Sequence, residues 1–186
     1  MIRRALEYVA VVTVAVALAL VVQAYLVKPY LVPTPSMATT LQPGDRVLVD
    51  RVSYRLHGPR RGDIVVFHSP DGAAVTLVKR LVGLPGETLQ VRGGRLYVDG
   101  RPLREPYVHR TAGKADPTAP ADPVDGTMRR PWSLLKPYTV PAESYFVMGD
   151  NRSESSDSRE WGVVRRGDLI GAARVVYWPP RRWTTL

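Results

Sequence analysis

The chain has 186 residues, of which 45% are hydrophobic and 23% are charged, as expected for one folded domain of ordinary size with a short appendage. It contains no cysteine, which excludes a disulfide framework, a thiolate nucleophile and a cysteine-ligated metal site. The histidines His57, His68 and His109 have no metal-site spacing, so we predict neither a metal nor another cofactor.

The formal net charge of +9 favours an anionic partner. The basic pairs are scattered along the chain without a recognition helix or an aromatic RNA-binding motif, so we predict no nucleic-acid binding. Contact with anionic lipid headgroups is one interpretation, and solvated arginines on loop edges are the other. The pairs are Arg60-Arg61, Arg129-Arg130, Arg165-Arg166 and Arg181-Arg182.

An uncharged run of 20 residues, Tyr8 to Val27, is the first predicted element. As a helix it is about 30 Å long, which matches the hydrocarbon thickness of a bilayer. A buried soluble helix rarely needs apolar residues on every face, and a cleaved secretory signal has a shorter apolar part and a small-x-small cleavage site. The sequence therefore predicts a single uncleaved transmembrane helix over residues 8–27.

The charges that flank this run predict its orientation. Arg3 and Arg4 precede it and Lys28 follows it. Because basic residues are retained on the cytoplasmic side, this bias places residues 1–7 in the cytoplasm. Residues 28–186 then form an extracytoplasmic domain.

Ser36 follows the predicted span closely and is the first candidate for chemistry. Pro33 and Pro35 disfavour helix and predict that Ser36 is presented on a loop or at a strand start. An extended tether of nine residues from Val27 keeps Ser36 within about 30 Å of the membrane. Because most serines in such linkers are solvated spacers, the assignment needs support from the rest of the chain.

From residue 44 onward the pattern is that of a β-rich domain. Short apolar stretches separated by Pro-Gly and Gly-Asp pairs predict an antiparallel sheet or sandwich, with a hairpin around Gly93-Gly94. No helix is predicted after the first. Residues 101–141 are rich in Pro, Asp and Ala, which predicts an exposed insertion with little core of its own. The predicted strands are 46–49, 63–67, 75–82, 88–91, 95–98, 144–148 and 169–178.

Lys79 is the second candidate for chemistry. The alternation of a strand places Lys79 and Arg80 on opposite faces, so one of the two cations is expected among apolar neighbours. A buried lysine has a lowered pKa and can act as a general base for a serine hydroxyl, whereas arginine stays charged. The alternative is an edge-strand lysine whose ammonium reaches water.

A loop rich in short polar side chains, residues 149–162, follows the predicted strand 144–148. Such a loop is expected to hydrogen-bond to itself. Arg152 and Arg159 lie among its acidic residues, which favours internal ion pairs over a metal site.

In this order, and behind an amino-terminal anchor, these stretches resemble bacterial type I signal peptidase, the membrane-bound Ser/Lys endopeptidase that removes signal peptides from exported proteins. The resemblance spans nearly the whole chain. Its boxes are residues 33–37 with 40–41, 44–49, 61–67, 78–87 and 149–162.

The resemblance implies a Ser/Lys catalytic dyad. Ser36 would attack the scissile carbonyl, and neutral Lys79 would take its proton and later return one to the leaving amine. The backbone N–H of Ser36 and the hydroxyl of Thr34 would form the oxyanion hole.

Two further groups of residues are implied by the same resemblance. One group supports the lysine side of the site: Ser155, which would orient the lysine, with Asp150, Asp157 and Arg159. The other group lines shallow pockets that accept small side chains such as alanine: Met37, Leu41, Leu77 and Val78.

The sequence also departs from the family pattern. Pro35 stands where glycine or another small or polar residue is more common, and Ala38-Thr39 replaces the commoner Glu-Pro. Neither departure removes a reacting atom, so they bear on loop rigidity and substrate preference.

Three other functions compete with signal peptide cleavage. A self-cleaving repressor shares the chemistry and core fold but needs an amino-terminal DNA-binding domain, which nothing here resembles. A maturation peptidase dedicated to one exported partner shares the site. A catalytically idle, membrane-tethered β domain would bind exported chains or anionic lipid without cutting.

The resemblance therefore implies cleavage of the signal peptides of secretory preproteins at the outer face of a bacterial cytoplasmic membrane. The expected partners are those preproteins, the lipid bilayer and the protein export machinery. The enzyme is expected to be single-pass and monomeric.

Overall fold

The computed structural model describes residues 2–70, 72, 74–108, 118 and 131–186. Within them the helices are α1 (Ile2–Tyr25), α2 (Ser53–Leu56) and α3 (Ser158–Trp161). The strands are β1 (Val27–Leu31), β2 (Arg46–Asp50), β3 (Ile64–His68), β4 (Thr76–Gly83), β5 (Thr88–Arg92), β6 (Arg95–Val98), β7 (Arg101–Pro102), β8 (Tyr138–Thr139), β9 (Ser144–Met148), β10 (Val164–Arg165), β11 (Leu169–Trp178) and β12 (Thr184–Thr185).

The strands form two antiparallel sheets. The larger has the order β1-β2-β11-β3-β4-β9-β10, and β12 also pairs with β11. The smaller has the order β7-β6-β5-β8, and its β5 and β6 are the hairpin predicted around Gly93-Gly94. The prediction of a mainly antiparallel β fold is confirmed.

Helix α1 leads directly into the larger sheet. It ends at Tyr25, and Val27 already pairs with Asp50 of β2, so the helix stops two residues before the predicted limit of the span. Pro29 limits how far the helix could extend, since a proline favours extended backbone at the residue before it, here Lys28. Among the helices of the described residues, none combines the length and the apolar composition that a bilayer crossing requires.

The sequence does not predict the one-turn helices α2 and α3, because both are too short to show a helical hydrophobic period. An N-cap aspartate marks α3, and an aspartate shortly before the N-cap Val52 marks α2. Asp157 accepts the backbone N–H of Arg159 at the start of α3, at 3.2 Å. Asp50 accepts the N–H groups of Val52 and Ser53 before α2, at 2.9 and 3.0 Å.

The core positions the segment that carries Ser36. One apolar cluster lies beneath this segment and includes Met37 and Leu41, whose side chains have no exposed surface. Other clusters pack the smaller sheet against β9 and join β3, β4 and β9. Because close-packed side chains move little, the backbone around Ser36 is held by packing as well as by hydrogen bonds.

The described ends of the 101–141 insertion are more buried than predicted. Leu134 and Val140 lie in the core against the smaller sheet, where β8 pairs with β5. Glu105 and Thr118 are also buried. The expectation of little core was therefore wrong for these ends, because apolar residues flank the Pro/Asp-rich part. Residues 109–117 and 119–130 lie outside the described residues.

Candidate active site

Ser36 lies in a one-turn 3-10 helix, Pro35–Met37, that the two prolines and the buried Met37 hold in place. The Ala38 N–H donates to the Pro35 carbonyl at 2.9 Å and closes the turn. The Ser36 N–H is in the first turn of a helix, where amide groups have no acceptor within the helix. The turn therefore presents both the hydroxyl and the amide of Ser36 at one point.

Lys79 approaches this turn from β4. Its register opposite Val65 of β3 places it in the middle of the larger sheet. Lys79 Nζ lies 2.6 Å from Ser36 Oγ, and the two side chains are 4% and 5% exposed. The structure thus brings together two residues that are 43 positions apart, in hydrogen-bonding contact and shielded from water.

Burial lowers the pKa of Lys79 from its ordinary value of 10.5 to about 8, because the ammonium loses hydration. The guanidinium of Arg159 lowers this pKa further, while Asp157, Glu160 and Asp150 oppose the shift. The net effect leaves a sizeable neutral fraction in mildly alkaline solution. A neutral amine at this distance accepts a proton from the Ser36 hydroxyl.

The segment after β9 holds the Ser36 turn from the other side. The backbone N–H of Asn151 donates to the Ser36 carbonyl at 3.1 Å, and its side-chain amide donates to the Pro35 carbonyl at 3.3 Å. At Gly149 a Cβ atom would lie 2.4 Å from the Ser36 carbonyl oxygen and 2.2 Å from Ser155 Oγ. Only a glycine allows the two segments to approach this closely.

Asp157 organises the wall behind Lys79. Its carboxylate accepts the Gly149 N–H at 3.0 Å, the Ser155 hydroxyl at 2.9 Å and the Arg159 Nε at 2.8 Å. Within the described residues the hydroxyl of Ser155 is hydrogen-bonded to Asp157, and no hydrogen bond joins it to Lys79. The orienting role expected for Ser155 stays a prediction.

Arg80, the neighbour of Lys79 on β4, is also buried and connects several segments of the site. The sequence predicts that one of Lys79 and Arg80 lies among apolar neighbours, and the structure buries both, at 4% and 9% exposed. Arg80 forms a two-pronged ion pair with Asp150, with 2.7 Å for both contacts, and its guanidinium lies 4.0 Å from the ring centre of Tyr107. Both faces of β4 are covered at this point, which strand alternation alone does not reveal.

The pairing of Arg80 and Asp150 also supports the nucleophile segment. The Thr40 hydroxyl donates to Asp150 Oδ2 at 2.5 Å, which ties the chain after Ser36 to the same carboxylate. Sequence reasoning assigned Asp150 to this wall but missed Arg80 and Thr40. Neither missed residue carries a local signal, because its partner lies 70 or more positions away.

Arg152 and Glu105 form an ion pair in which neither side chain has exposed surface. Arg152 also donates to the Gly149 carbonyl at 2.9 Å and to the Thr118 hydroxyl at 2.6 Å. The loop was predicted to contain internal ion pairs, and Arg159–Asp157 is one. Arg152 instead pairs with a residue of the 101–141 insertion, which links that insertion to the base of the site.

Removal of the Glu105 charge is expected to destabilise the fold. Replacing Glu105 by glutamine leaves the buried Arg152 without its counter-charge, at a cost of about 3 kcal/mol in the free energy of unfolding. The check is a urea titration of the full chain in detergent.

The matched control is Glu143→Gln, because Glu143 lies 3.8 Å from Arg166 in an exposed pair. This change is expected to cost less than about 1 kcal/mol. Equal stability of the two variants would show that the buried Arg152 does not need the Glu105 charge.

The residues predicted to line substrate pockets divide into two kinds. Met37 and Leu41 are fully buried, and both pack into the core beneath the Ser36 turn. Leu77 and Val78 are only half-buried and lie beside Lys79 on β4. In this structure, only the second pair offers side-chain surface to a substrate. Thr34 is exposed, and its Oγ1 lies 3.2 Å from Ser36 Oγ.

Comparison with known proteins connects this geometry to a family. Residues 5–178 match the family described as signal peptidase, peptidase S26. The chain is 38% identical to a signal peptidase I of Leptolyngbya laminosa over 184 residues, covering 95% of this chain and 81% of that protein. It is 37% identical to a signal peptidase I of Bacillus licheniformis over 174 residues, covering 93% of this chain and 88% of that protein.

A solved structure of a signal peptidase I from Enterococcus faecalis is 34% identical, with a TM-score of 0.46 and coverage of 61% of this chain and 95% of that chain. The family assignment rests on the sequence matches, which extend over most of the chain. The resemblance predicted from the sequence motifs is confirmed, and the chain belongs to the signal peptidase family, peptidase S26.

Proposed function

We propose that this chain is a membrane-bound serine endopeptidase that cleaves N-terminal signal peptides from exported preproteins with Ser36 and Lys79. The observation that carries the proposal is the 2.6 Å contact between Lys79 Nζ and Ser36 Oγ in a nearly water-free site. The family relatives are named signal peptidase I, which supports the choice of substrate.

In the first step of the proposed mechanism, Ser36 Oγ attacks the carbonyl carbon of the scissile bond. Its proton passes to Nζ of neutral Lys79. The negative charge that develops on the carbonyl oxygen is stabilised by the Ser36 N–H and the Thr34 hydroxyl. When the tetrahedral intermediate collapses, the C–N bond breaks and protonated Lys79 gives its proton to the leaving amine.

The second step releases the signal peptide from its ester with Ser36. Lys79, neutral again, takes a proton from a water molecule that attacks the ester carbonyl. The second tetrahedral intermediate collapses, the ester C–O bond breaks, and Ser36 Oγ recovers its proton from Lys79. The peptide leaves as a carboxylic acid, which loses its proton to solvent. The Asp157 network keeps the wall behind Lys79 fixed through both steps.

The substrate side of the proposal rests on β4. Leu77 and Val78 precede Lys79 on β4 and are half-buried, so each keeps some apolar surface that a substrate could contact. Such a surface suits small side chains near the cut. Met37 and Leu41 support this surface from the core rather than contacting the substrate.

The membrane-anchor part of the proposal rests on α1 and its sequence. The uncharged run Tyr8 to Val27 lies mostly within α1, whose large apolar side chains from Leu6 to Leu20 are 53% to 71% exposed. A bilayer would cover this surface, which otherwise contacts water. The flanking charges then place the catalytic domain outside the cytoplasm.

Loss of the Thr34 hydroxyl is expected to reduce the rate of cleavage. Thr34→Val removes one proposed donor to the oxyanion and is expected to lower kcat by about 10²-fold with little change in KM. Thr34→Ser keeps the donor and is the matched control. If Thr34→Val cleaves as fast as the unchanged chain, Thr34 is not part of the oxyanion hole.

The proposed function is tested by incubating the full chain, in lipid, with several secretory preproteins and measuring the product masses. We expect a single cut after a small-x-small site, and no cut by the Ser36→Ala variant, which still binds the preprotein. Cleavage of only one partner would favour a dedicated maturation peptidase. Binding without cleavage by the unchanged chain would favour the idle binding domain and overturn the proposal.

A further inference from the structure

One cavity of the domain is lined by several basic side chains. Its volume is about 390 Å³, within the range of small-molecule sites, and neither Ser36 nor Lys79 lines it. The basic residues come from separate parts of the chain that the larger sheet brings together. They are Lys28 of β1, Arg51 and Arg55 around α2, His68 at the end of β3, and Arg166 before β11.

The residues that line this cavity include basic side chains from several parts of the chain. None of the described residues that line it is an aspartate or a glutamate. Two carboxylates lie near the cavity but have partners of their own. The Asp63 carboxylate accepts a hydrogen bond from the Tyr54 hydroxyl at 3.0 Å. The Asp50 carboxylate lies 3.8 Å from Arg174, and Arg174 does not line the cavity. Like charges around a concave surface repel one another and raise the local concentration of anions.

Some of the charge is partly countered at the rim. Glu143 lies 3.8 Å from Arg166, but both side chains are strongly exposed, so solvent screens this pair. Lys28 lies over the ring of Tyr30, 5.5 Å from its centre, which keeps the ammonium at the cavity without neutralising it. Arg51 has an interaction of its own, so the positive character of the cavity rests on Lys28, Arg55 and Arg166, whose charge an anion would offset.

We propose that this cavity binds a phosphate group, supplied by the headgroup of an anionic phospholipid. Several basic side chains converging on a small cavity suit a compact anion with multiple acceptor oxygens. The lipid source follows from position, since Lys28 comes directly after the uncharged run that ends at Val27, and this step rests on the proposed membrane anchor. Bound lipid would hold the catalytic domain at a fixed height above the bilayer.

The experiment is calorimetric titration of the full chain in a neutral detergent with four probes. The probes are dihexanoyl phosphatidylglycerol, dihexanoyl phosphatidylcholine, inorganic phosphate and hexaglutamate. The test variant is Arg55→Gln with Arg166→Gln, and the matched control is Arg101→Gln with Arg104→Gln, two exposed arginines outside the cavity. All three proteins are first compared by thermal melting to establish that they are equally folded.

We expect phosphatidylglycerol to bind more tightly than phosphatidylcholine, with a Kd that rises roughly 20-fold in the test variant and stays unchanged in the control. Inorganic phosphate binding as tightly as phosphatidylglycerol, with the same dependence on the variant, would support the phosphate site and identify free phosphate as its source. Tighter binding of hexaglutamate would identify an acidic-peptide site and overturn the proposal. Equal losses in both variants, or no binding of any phosphate probe, would also overturn it.

Flotation with phosphatidylcholine vesicles separates this proposal from the proposed anchor. Such vesicles carry no net charge, so flotation of the full chain with them reports on α1 and not on the cavity. If the chain floats but its phosphate binding does not depend on the variant, the membrane anchor is supported and the phosphate site is overturned. If the chain does not float, the membrane anchor is overturned, and the titration still shows whether the cavity binds phosphate.

Discussion

Replacing Lys79 by methionine is expected to abolish cleavage and at the same time to stabilise the folded domain at neutral pH. Loss of the general base is expected to lower kcat/KM by roughly 10⁴-fold, because Ser36 then has no group to accept its proton. Lys79→Arg should be equally inactive, because a guanidinium stays protonated at every working pH. Cleavage assays on a preprotein measure both effects.

The gain in stability follows from the lowered pKa of Lys79. Folding lowers this pKa from 10.5 to about 8, because protonated Lys79 is less stable in the buried site than in the unfolded chain. Below pH 8 the buried ammonium lowers the free energy of unfolding by about 3 kcal/mol. This loss of stability disappears as the pH rises from 8 to 10.5, because Lys79 is then neutral in both states. Lys79→Met should therefore unfold at a higher urea concentration than the unchanged chain at pH 7, with a smaller difference near pH 10.

The same pKa predicts the pH dependence of cleavage. With a pKa of about 8, roughly a tenth of Lys79 is neutral at pH 7 and roughly a hundredth at pH 6. The value of kcat/KM should therefore rise about tenfold per pH unit in this range and level off above pH 9. A profile that is flat from pH 6 to pH 9, or a Lys79→Met variant that still cuts well, would show that another group is the base.

Replacing Gly149 by alanine is expected to disable the site through packing alone. The added Cβ would lie 2.4 Å from the Ser36 carbonyl oxygen and 2.2 Å from Ser155 Oγ, so the nucleophile segment and the Asp157 wall must move apart. A displacement of about 1 Å at the reacting atoms costs on the order of 10²-fold, and disruption of the wall adds to it. We expect kcat/KM to fall roughly 10³-fold and the free energy of unfolding to fall by about 2 kcal/mol.

The matched control for Gly149→Ala is Gly58→Ala, because a Cβ at Gly58 meets no atom within 4 Å. This variant should keep the activity and stability of the unchanged chain. The measurements are initial rates on a preprotein and urea unfolding of both variants in detergent. Full activity of Gly149→Ala would mean that the two segments are not held as closely as their contacts indicate.

Most of the secondary structure could be predicted from the chain itself. The strands around Val47, Val65 and Val147 have short apolar runs between Gly and Pro residues, and the hairpin around Gly93-Gly94 has the turn residues that hairpins need. The family could also be predicted, because its motifs are contiguous in sequence and occur in order. These features depend on local backbone preferences and neighbouring residues.

The tertiary structure decided which of these residues meet, and how deeply each is buried. Strand alternation places Lys79 and Arg80 on opposite faces, but only the packing of the Ser36 turn and the insertion on those faces buries both cations. The ion pair of Glu105 with Arg152 joins residues 47 positions apart and has no local sequence signal.

Ser36 and Lys79 show most clearly what the sequence predicts and what depends on the tertiary structure. Their residue types and motifs made them candidates, whereas the 2.6 Å contact and the lowered pKa exist only because β4 crosses beneath the Ser36 turn. Desolvation depends on everything that surrounds a side chain in three dimensions, and a sequence pattern records only the neighbours along the chain. For that reason, the strands and the family follow from residues that are close together in the chain, whereas the electrostatics of the site follow from the packing of distant segments.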